Sequence, residues 1–254
     1  MNLLAIDTSS RVAAIGLEVG GDRRLLFQSA DGPARRHGRD LLPAIRSLLD
    51  SAGIRARDLD AVAVGLGPGS YTGLRIGLTA ARALAYAAGA EIIGLDSLEV
   101  WARAATEMAT RLHVVADAQR GDVYAGEWER AGPGSPLRRV FGSRLESLAD
   151  WSARVREGGL VVGPALESPA IRKSIPEGPT ILEFGLDEAQ ARAASLLELA
   201  REARREGRRD DLWSIEPNYL RRSAAEDQQD ARAVDTTALP AAAIERIASH
   251  DPEG

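Results

Sequence analysis

The sequence has no cysteine, a single lysine (Lys173) and only three histidines, His37, His113 and His250. Without cysteine there is no disulfide, no thiolate nucleophile and no Cys-ligated zinc or iron–sulfur cluster, which fits a cytoplasmic protein. The histidines are far apart and none stands four residues from another, so the helical zinc motifs are absent and metal-dependent catalysis is not expected. One lysine leaves a lysine-based catalytic device almost nowhere to reside. No stretch approaches about 20 uncharged apolar residues, and the N-terminus reaches Asp7 after four apolar residues without a basic region, so neither a membrane span nor a standard export signal is expected. Positive charge is also short, with Lys+Arg 32 against Asp+Glu 37 and a net charge of -5. Unaided nucleic-acid binding is therefore disfavoured, and an RNA role would need a local patch or a partner.

What the chain does have is 254 residues, 44% of them apolar, which is core enough for one large domain or two smaller ones. Apolar runs at 3–6, 12–19 and 25–28 read as three short strands. Helical spacing follows at 39–52, where Gly53 would end the helix and Pro43 would sit in its first turn or kink it. A buried strand at 61–64 leads through a glycine-rich loop to a helix over 74–88 that stops at Gly89, then to a strand at 92–95. Asp96 and Glu99 have capping-box spacing and open a helix carrying Leu98, Val100, Trp101 and Met108. The order is βββαβαβα. After Thr110 it begins again: strands at 112–116, 123–128 and near Val140, a helix over 145–155, strands at 160–162 and 180–184, and a helix to about Glu206 opened by Asp187 and Gln190. Leu3-Leu4-Ala5-Ile6-Asp7 aligns with His113-Val114-Val115-Ala116-Asp117, and Ala61-Val62-Ala63-Val64-Gly65 with Gly159-Leu160-Val161-Val162-Gly163. This supports a duplication over two unrelated α/β units. We expect subdomains at 1–110 and 111–221 and a polar, weakly ordered tail at 222–254, its one helix candidate at 241–249.

The densest signal is Gly67-Pro68-Gly69-Ser70-Tyr71-Thr72-Gly73-Leu74-Arg75-Ile76-Gly77, between a buried strand and a helix. A glycine loop entering a helix N-terminus can face an anion, but no lysine follows it, Thr72 breaks the dinucleotide pattern, and Ser70 is not flanked as in a nucleophile elbow. Small residues at Gly73, Gly77, Ala80 and Ala81, with Leu84, share one helix face, and close packing of a backbone or a partner helix is the stronger reading. Asp7, Thr8 and Ser9 end the first strand, with Asp117 at the matching place in the second half. The two carboxylates suit a hydrated magnesium and nucleotide phosphates across a cleft, while on spacing alone they suit hairpin turns. Arg201, Arg204, Arg205, Arg208 and Arg209 form the strongest basic cluster. Interleaved with Glu202 and Glu206, it reads as a solvated helix face before it reads as a phosphate contact.

Taken together, Leu4-Ala5-Ile6-Asp7-Thr8-Ser9, the His37 helix with Leu41-Leu42-Pro43, the glycine loop, Asp117-Ala118-Gln119-Arg120-Gly121-Asp122-Val123-Tyr124 and Pro217-Asn218-Tyr219-Leu220-Arg221 resemble the TsaB (YeaZ) family over residues 1–221. The resemblance implies an actin-like, Hsp70 and sugar-kinase (ASKHA) fold of two RNase H-like halves, the second degenerate. It implies an accessory, non-catalytic partner of TsaD, acting with the ATPase TsaE in transferring threonylcarbamoyl from threonylcarbamoyl-AMP to the adenosine beside the anticodon of tRNA. The metal-binding histidine pair of TsaD is missing. No cofactor of its own is implied; ATP or ADP with magnesium belongs to the context of the complex, with Asp7, Thr8, Ser9 and Asp117 as the candidate binding residues. The adenosine motif of active relatives is represented only by Gly163-Pro164-Ala165. Because the family pairs through its first-half helices, with itself or with TsaD, the implied interface is His37, Leu41, Leu42, Ile45, Leu74, Gly77, Ala80, Ala81 and Leu84. Arginine at Ala80 or Ala81 is then expected to abolish pairing and spare the fold. The alternatives are a stand-alone ASKHA phosphotransferase using Asp7 or Asp117 as base, a metallopeptidase, which the ligand inventory disfavours, and a scaffold without ligand.

Overall fold

In the computed structural model, which describes residues 1–20, 22–28, 37–105, 109–184 and 187–221 (backbone alone at 22–28 and at His37), β1 (Asn2–Asp7), β2 (Ala13–Val19) and β3 (Asp22–Gln28) form an antiparallel meander. β4 (Ala61–Gly65) and β5 (Glu91–Leu95) extend it in parallel on the other side of β1, giving the order β3-β2-β1-β4-β5. Strands this apolar need cover on both faces. Leu4, Ile6, Leu17, Val62 and Val64 are covered by α1 (His37–Ser51) and α2 (Tyr71–Ala88). The opposite face is alanine-rich at Ala5, Ala14, Ala61 and Ala63, and α6 (Glu188–Arg205) lies on it with Ala193, Leu196, Leu197 and Ala200. Gly16 in β2 makes that approach feasible, since a Cβ there would stand 3.0 Å from the Ala193 carbonyl oxygen.

The second half repeats the plan. β6 (Arg111–Asp117), β7 (Asp122–Glu129), β8 (Arg138–Ser147), β9 (Leu160–Val162) and β10 (Thr180–Ile181) lie in the order β10-β9-β6-β7-β8, with β6 in the place of β1. α4 (Leu148–Val155) and α5 (Pro169–Ser174) cover Val115, Val123 and Val161. α3 (Ser97–Ala104) serves both sheets, Val100 packing toward the first and Leu98 and Trp101 toward the second. The two sheets share one strand order, a duplicated α/β architecture.

Several expectations need correction. Residues 188–220, assigned to the second subdomain, return to the first sheet: α6 covers it, Ile215 joins the α1–α2 core, and Asp210 bridges to Ile92. Residues 145–147 prolong β8, and α4 starts only where the Ser147 hydroxyl accepts from the Asp150 amide at 3.0 Å. α5 is an element the sequence pattern did not reveal. Asp96 caps α3 as expected, accepting from the amides of Leu98 and Glu99 at 2.8 and 3.2 Å. Asp187 makes no such side-chain bond. Met108, His250, the tail from 222 and its helix candidate lie outside the described residues.

His113 is fully buried in β6. Its Nε2 lies 3.0 Å from the Gly158 carbonyl oxygen and donates to it, leaving Nδ1 as the bare nitrogen, 3.5 Å from Glu127 Oε2. Glu127 is already neutralised by Arg111 at 2.6 Å and Arg154 at 2.9 Å. Burial pushes the imidazole below its ordinary 6.5. The unfolded chain therefore takes up a proton that the native state refuses, and stability present above pH 6.5 is lost as the pH falls from there toward the lowered value. Equilibrium denaturation should show a decline of at most about 1.4 kcal/mol per pH unit in this window from this group. His113→Gln, which keeps a donor for Gly158 but cannot titrate, should remove that part of the slope.

Candidate functional site

β1 delivers Asp7, Thr8 and Ser9 to a turn in which the Ser9 amide donates to Asp7 Oδ1 at 2.9 Å. The glycine-rich segment after β4 wraps this turn. The Ser70 amide donates to the Ser9 carbonyl oxygen at 2.7 Å, and the Thr8 hydroxyl to the carbonyl oxygen of Gly73 at 2.7 Å. Ser70 also caps α2, its hydroxyl accepting from the Gly73 amide at 3.2 Å. A Cβ at Gly69 would stand 2.4 Å from the Ser9 carbonyl oxygen, one at Gly73 2.1 Å from that of Thr8, and one at Gly77 2.2 Å from Thr8 Oγ1. The glycine signature is thus a seat for the chain's own turn, in line with the packing reading.

The four candidate cofactor residues do not converge. Asp7 is wholly buried, its carboxylate taken up by Ser9, by the Ser97 hydroxyl at 3.2 Å and by Arg192 at 3.4 Å. Thr8 and Ser9 are buried beneath the glycine seat. Asp117 alone reaches the cleft between the sheets, a cavity of about 370 Å³ lined also by Ser10, Arg11, Thr72, Gln119 and Glu167. There it holds its own turn, accepting from the Gln119 amide at 2.7 Å and the Gln119 side-chain amide at 3.0 Å.

The reason is a slip of one residue. Chain order makes α4 and α5 the counterparts of α1 and α2. They cover the Val115 face of β6, whereas α1 and α2 cover the Leu4 and Ile6 face of β1. Val115 therefore matches an even position of β1, so Asp7, on the opposite face, has no partner in Asp117. Magnesium prefers several oxygens in an open octahedral site. Asp7 has no exposed oxygen to give, and among the described residues no group of three metal-ligating side chains exists. The Gly163-Pro164-Ala165 remnant also serves packing, since a Cβ at Gly163 would meet the Val115 carbonyl oxygen at 2.2 Å.

The predicted partner face divides. Leu41, Ile45, Leu74, Gly77, Ala80 and Ala81 are buried in the chain's own core, Leu84 is half-buried and Leu42 is exposed; the His37 side chain lies outside the described residues. Small residues cannot say from spacing whether they face a partner or their own sheet. The outward face of α2 instead carries Tyr71, Arg75, Thr79, Ala83 and Tyr86. Across it runs the segment after α6: the Arg82 guanidinium donates to the carbonyl oxygens of Trp213 and Ile215, the Asn218 amide to that of Leu66 at 2.7 Å, and Arg75 Nε to the Tyr219 hydroxyl at 3.1 Å. Tyr71 stacks on Tyr219 at 4.9 Å and Tyr86 meets Trp213 edge-on at 5.7 Å. Arg192, Ser97 and this aromatic strap escaped the sequence reading; only Pro217-Asn218-Tyr219 signalled the strap. Of the arginine cluster, Arg204 and Arg209 pair with Glu91 at 2.7 and 3.3 Å, Arg201 with Glu18 at 3.6 Å, and Arg208 donates to the Gly94 carbonyl oxygen at 2.7 Å. These side chains tie the end of α6 to the first sheet.

Comparison with known proteins agrees with this architecture. The family model described as TsaD, tRNA N6-adenosine threonylcarbamoyltransferase, matches residues 32–167. The tRNA threonylcarbamoyladenosine biosynthesis protein TsaB of Haemophilus influenzae is 30% identical over 229 residues, 87% of this chain and 94% of that one. The chain belongs to the TsaB family. The TsaB protein of Escherichia coli is 36% identical over 132 residues, a match spanning 51% of this chain and only 56% of that protein. The structure of YeaZ from Pseudomonas aeruginosa superposes with a TM-score of 0.70 at 27% identity, covering 86% of this chain and 99% of that one. In this TsaB-family chain, Gly73→Ala and Gly77→Ala should each cost about 1–3 kcal/mol in denaturant unfolding. Thr8→Ala should relieve the second and not the first, because only the second clash is with a side chain. Arginine at Ala81, which is 0% exposed, should cost the fold itself and not pairing alone.

Proposed function

We propose that the chain is a non-catalytic partner of TsaD in forming N6-threonylcarbamoyladenosine in tRNA, working in the cytoplasm with TsaE and reaching tRNA through the complex. TsaD carries out the transfer from threonylcarbamoyl-AMP; this chain supplies a surface. The observation that supports the reading is the contrast between the two candidate regions of a TsaB-family chain. Its strand-end carboxylate Asp7 is sealed, while the outer face of α2 displays large aromatic side chains, Tyr86 at 68% and Trp213 at 73% exposure. Aromatic and arginine side chains grouped on one exposed helix face are the composition of binding hot spots. Arg75 lies over the Tyr71 ring at 4.3 Å, holding both in place before any partner arrives, which lowers the entropy cost of association. A homodimer of the chain alone would use the same face. Among the described residues no helix is long and apolar enough to cross a membrane.

The test is an omission assay with TsaD, TsaE, tRNA, ATP and threonylcarbamoyl-AMP, reading modified adenosine by mass spectrometry. Product should require this chain, and the chain alone should yield none; product undiminished by omission overturns the assignment. Ala83→Arg should weaken TsaD binding at least tenfold, about 1.4 kcal/mol, with an unchanged unfolding midpoint. Asp117→Asn should leave binding as it is. A phosphotransferase using Asp117 as base would instead lose phosphoryl transfer on Asp117→Asn and keep it in Ala83→Arg.

A further inference from the structure

We infer that Arg192 is the permanent counter-ion of Asp7, occupying the place a divalent cation would need, so that the chain binds neither metal nor metal-nucleotide at this strand-end carboxylate. Both side chains are 0% exposed, with Arg192 Nη1 3.4 Å from Asp7 Oδ2. Three further groups hold the guanidinium through its terminal nitrogens and its face. It donates to the carbonyl oxygen of Val12, across the same hairpin turn, pairs with Glu188 Oε1 at 3.2 Å one turn back along α6, and lies over the Trp101 ring of α3 at 4.7 Å. Arginine stays charged at any pH the protein meets. The other carboxylate oxygen, Oδ1, accepts from the Ser9 amide and the Ser97 hydroxyl, and Gly65 leaves room for it, a Cβ there falling 2.5 Å away.

A metal at Asp7 would have to displace Arg192 or sit beside it. Displacement would leave a guanidinium uncompensated in the interior, and coexistence would place two cations in contact in a poorly screening environment. The cleft offers no bypass: Ser10, Arg11 and Ser70 are among the residues that line it, and the fully buried Asp7 is not. The same pair pins α6 to β1 across 185 residues of sequence, so the docking of α6 and the closure of the carboxylate are one interaction. This inference stands whether or not the chain pairs with TsaD.

The probe is Mn2+, alone and with ATP, titrated into the full-length protein while the indole N–H resonances are followed by NMR, Trp101 being identified with Trp101→Phe. An ion held at Asp7 would broaden Trp101 ahead of Trp128 and Trp213. The wild type should show no selective loss of Trp101 in either titration, and Arg192→Gln should acquire it. Selective broadening in the wild type that Asp7→Asn abolishes would overturn the inference, as would a folded Arg192→Gln with no gain. If Arg192→Gln fails to fold, the wild-type titrations and Asp7→Asn decide alone.

Discussion

The turn at residues 7–9 sits in a seat that only glycine can line, and the first half is arranged around that contact. Thr8 gives its hydroxyl to the carbonyl oxygen of Gly73 inside α2, and the Ser9 carbonyl oxygen takes the Ser70 amide, so the strand end and the helix start satisfy each other's polar groups. With the α2 N-terminus drawn onto β1, Asp7 is left on the far face of the sheet, away from α2. There Arg192 from the returning helix α6 reaches it. One steric condition therefore sets the position of α2, the burial of Asp7 and the need for a buried cation.

That arrangement distributes function. A cleft of about 370 Å³ persists between the sheets, yet its wall is made of turn-holding groups, Asp117 bound to Gln119 and Arg11 facing Glu167 at 3.6 Å. The outer face of α2 holds the strap running back from α6, which adds Trp213 and Tyr219 to it. The relatives in this family are named for threonylcarbamoyladenosine biosynthesis, and the proposed role gives the duplicated fold the part of a rigid frame for a binding surface.

Much of this was legible in the residues. Strand and helix order followed from apolar runs and helical spacing because β1, β4, β6 and β9 are buried, nearly continuous apolar segments. The seat was legible as a demand for closeness, although its occupant was not. What the sequence could not convey is orientation. The aspartates look equivalent in an alignment of strand ends, but a one-residue offset turns one inward and the other outward. Leu41 and Ile45 look like an interface stripe until the sheet claims them. Arg192 sits in an alanine-rich helix without any local mark, since its partner Asp7 is 185 residues away. Long-range pairs of this kind are invisible to local pattern. For the same reason the return of residues 188–220 to the first sheet was missed.

The central claim is that the outer face of α2, and not the cleft, is where this chain acts. Hydrogen exchange of the chain with and without TsaD tests it most directly. The account predicts slowed exchange in α2 and in the strap around Trp213, with the hairpin turn after Asp117 unchanged. Protection confined to that turn and to the Gly163-Pro164-Ala165 wall of the cleft, with α2 unaffected, would contradict it.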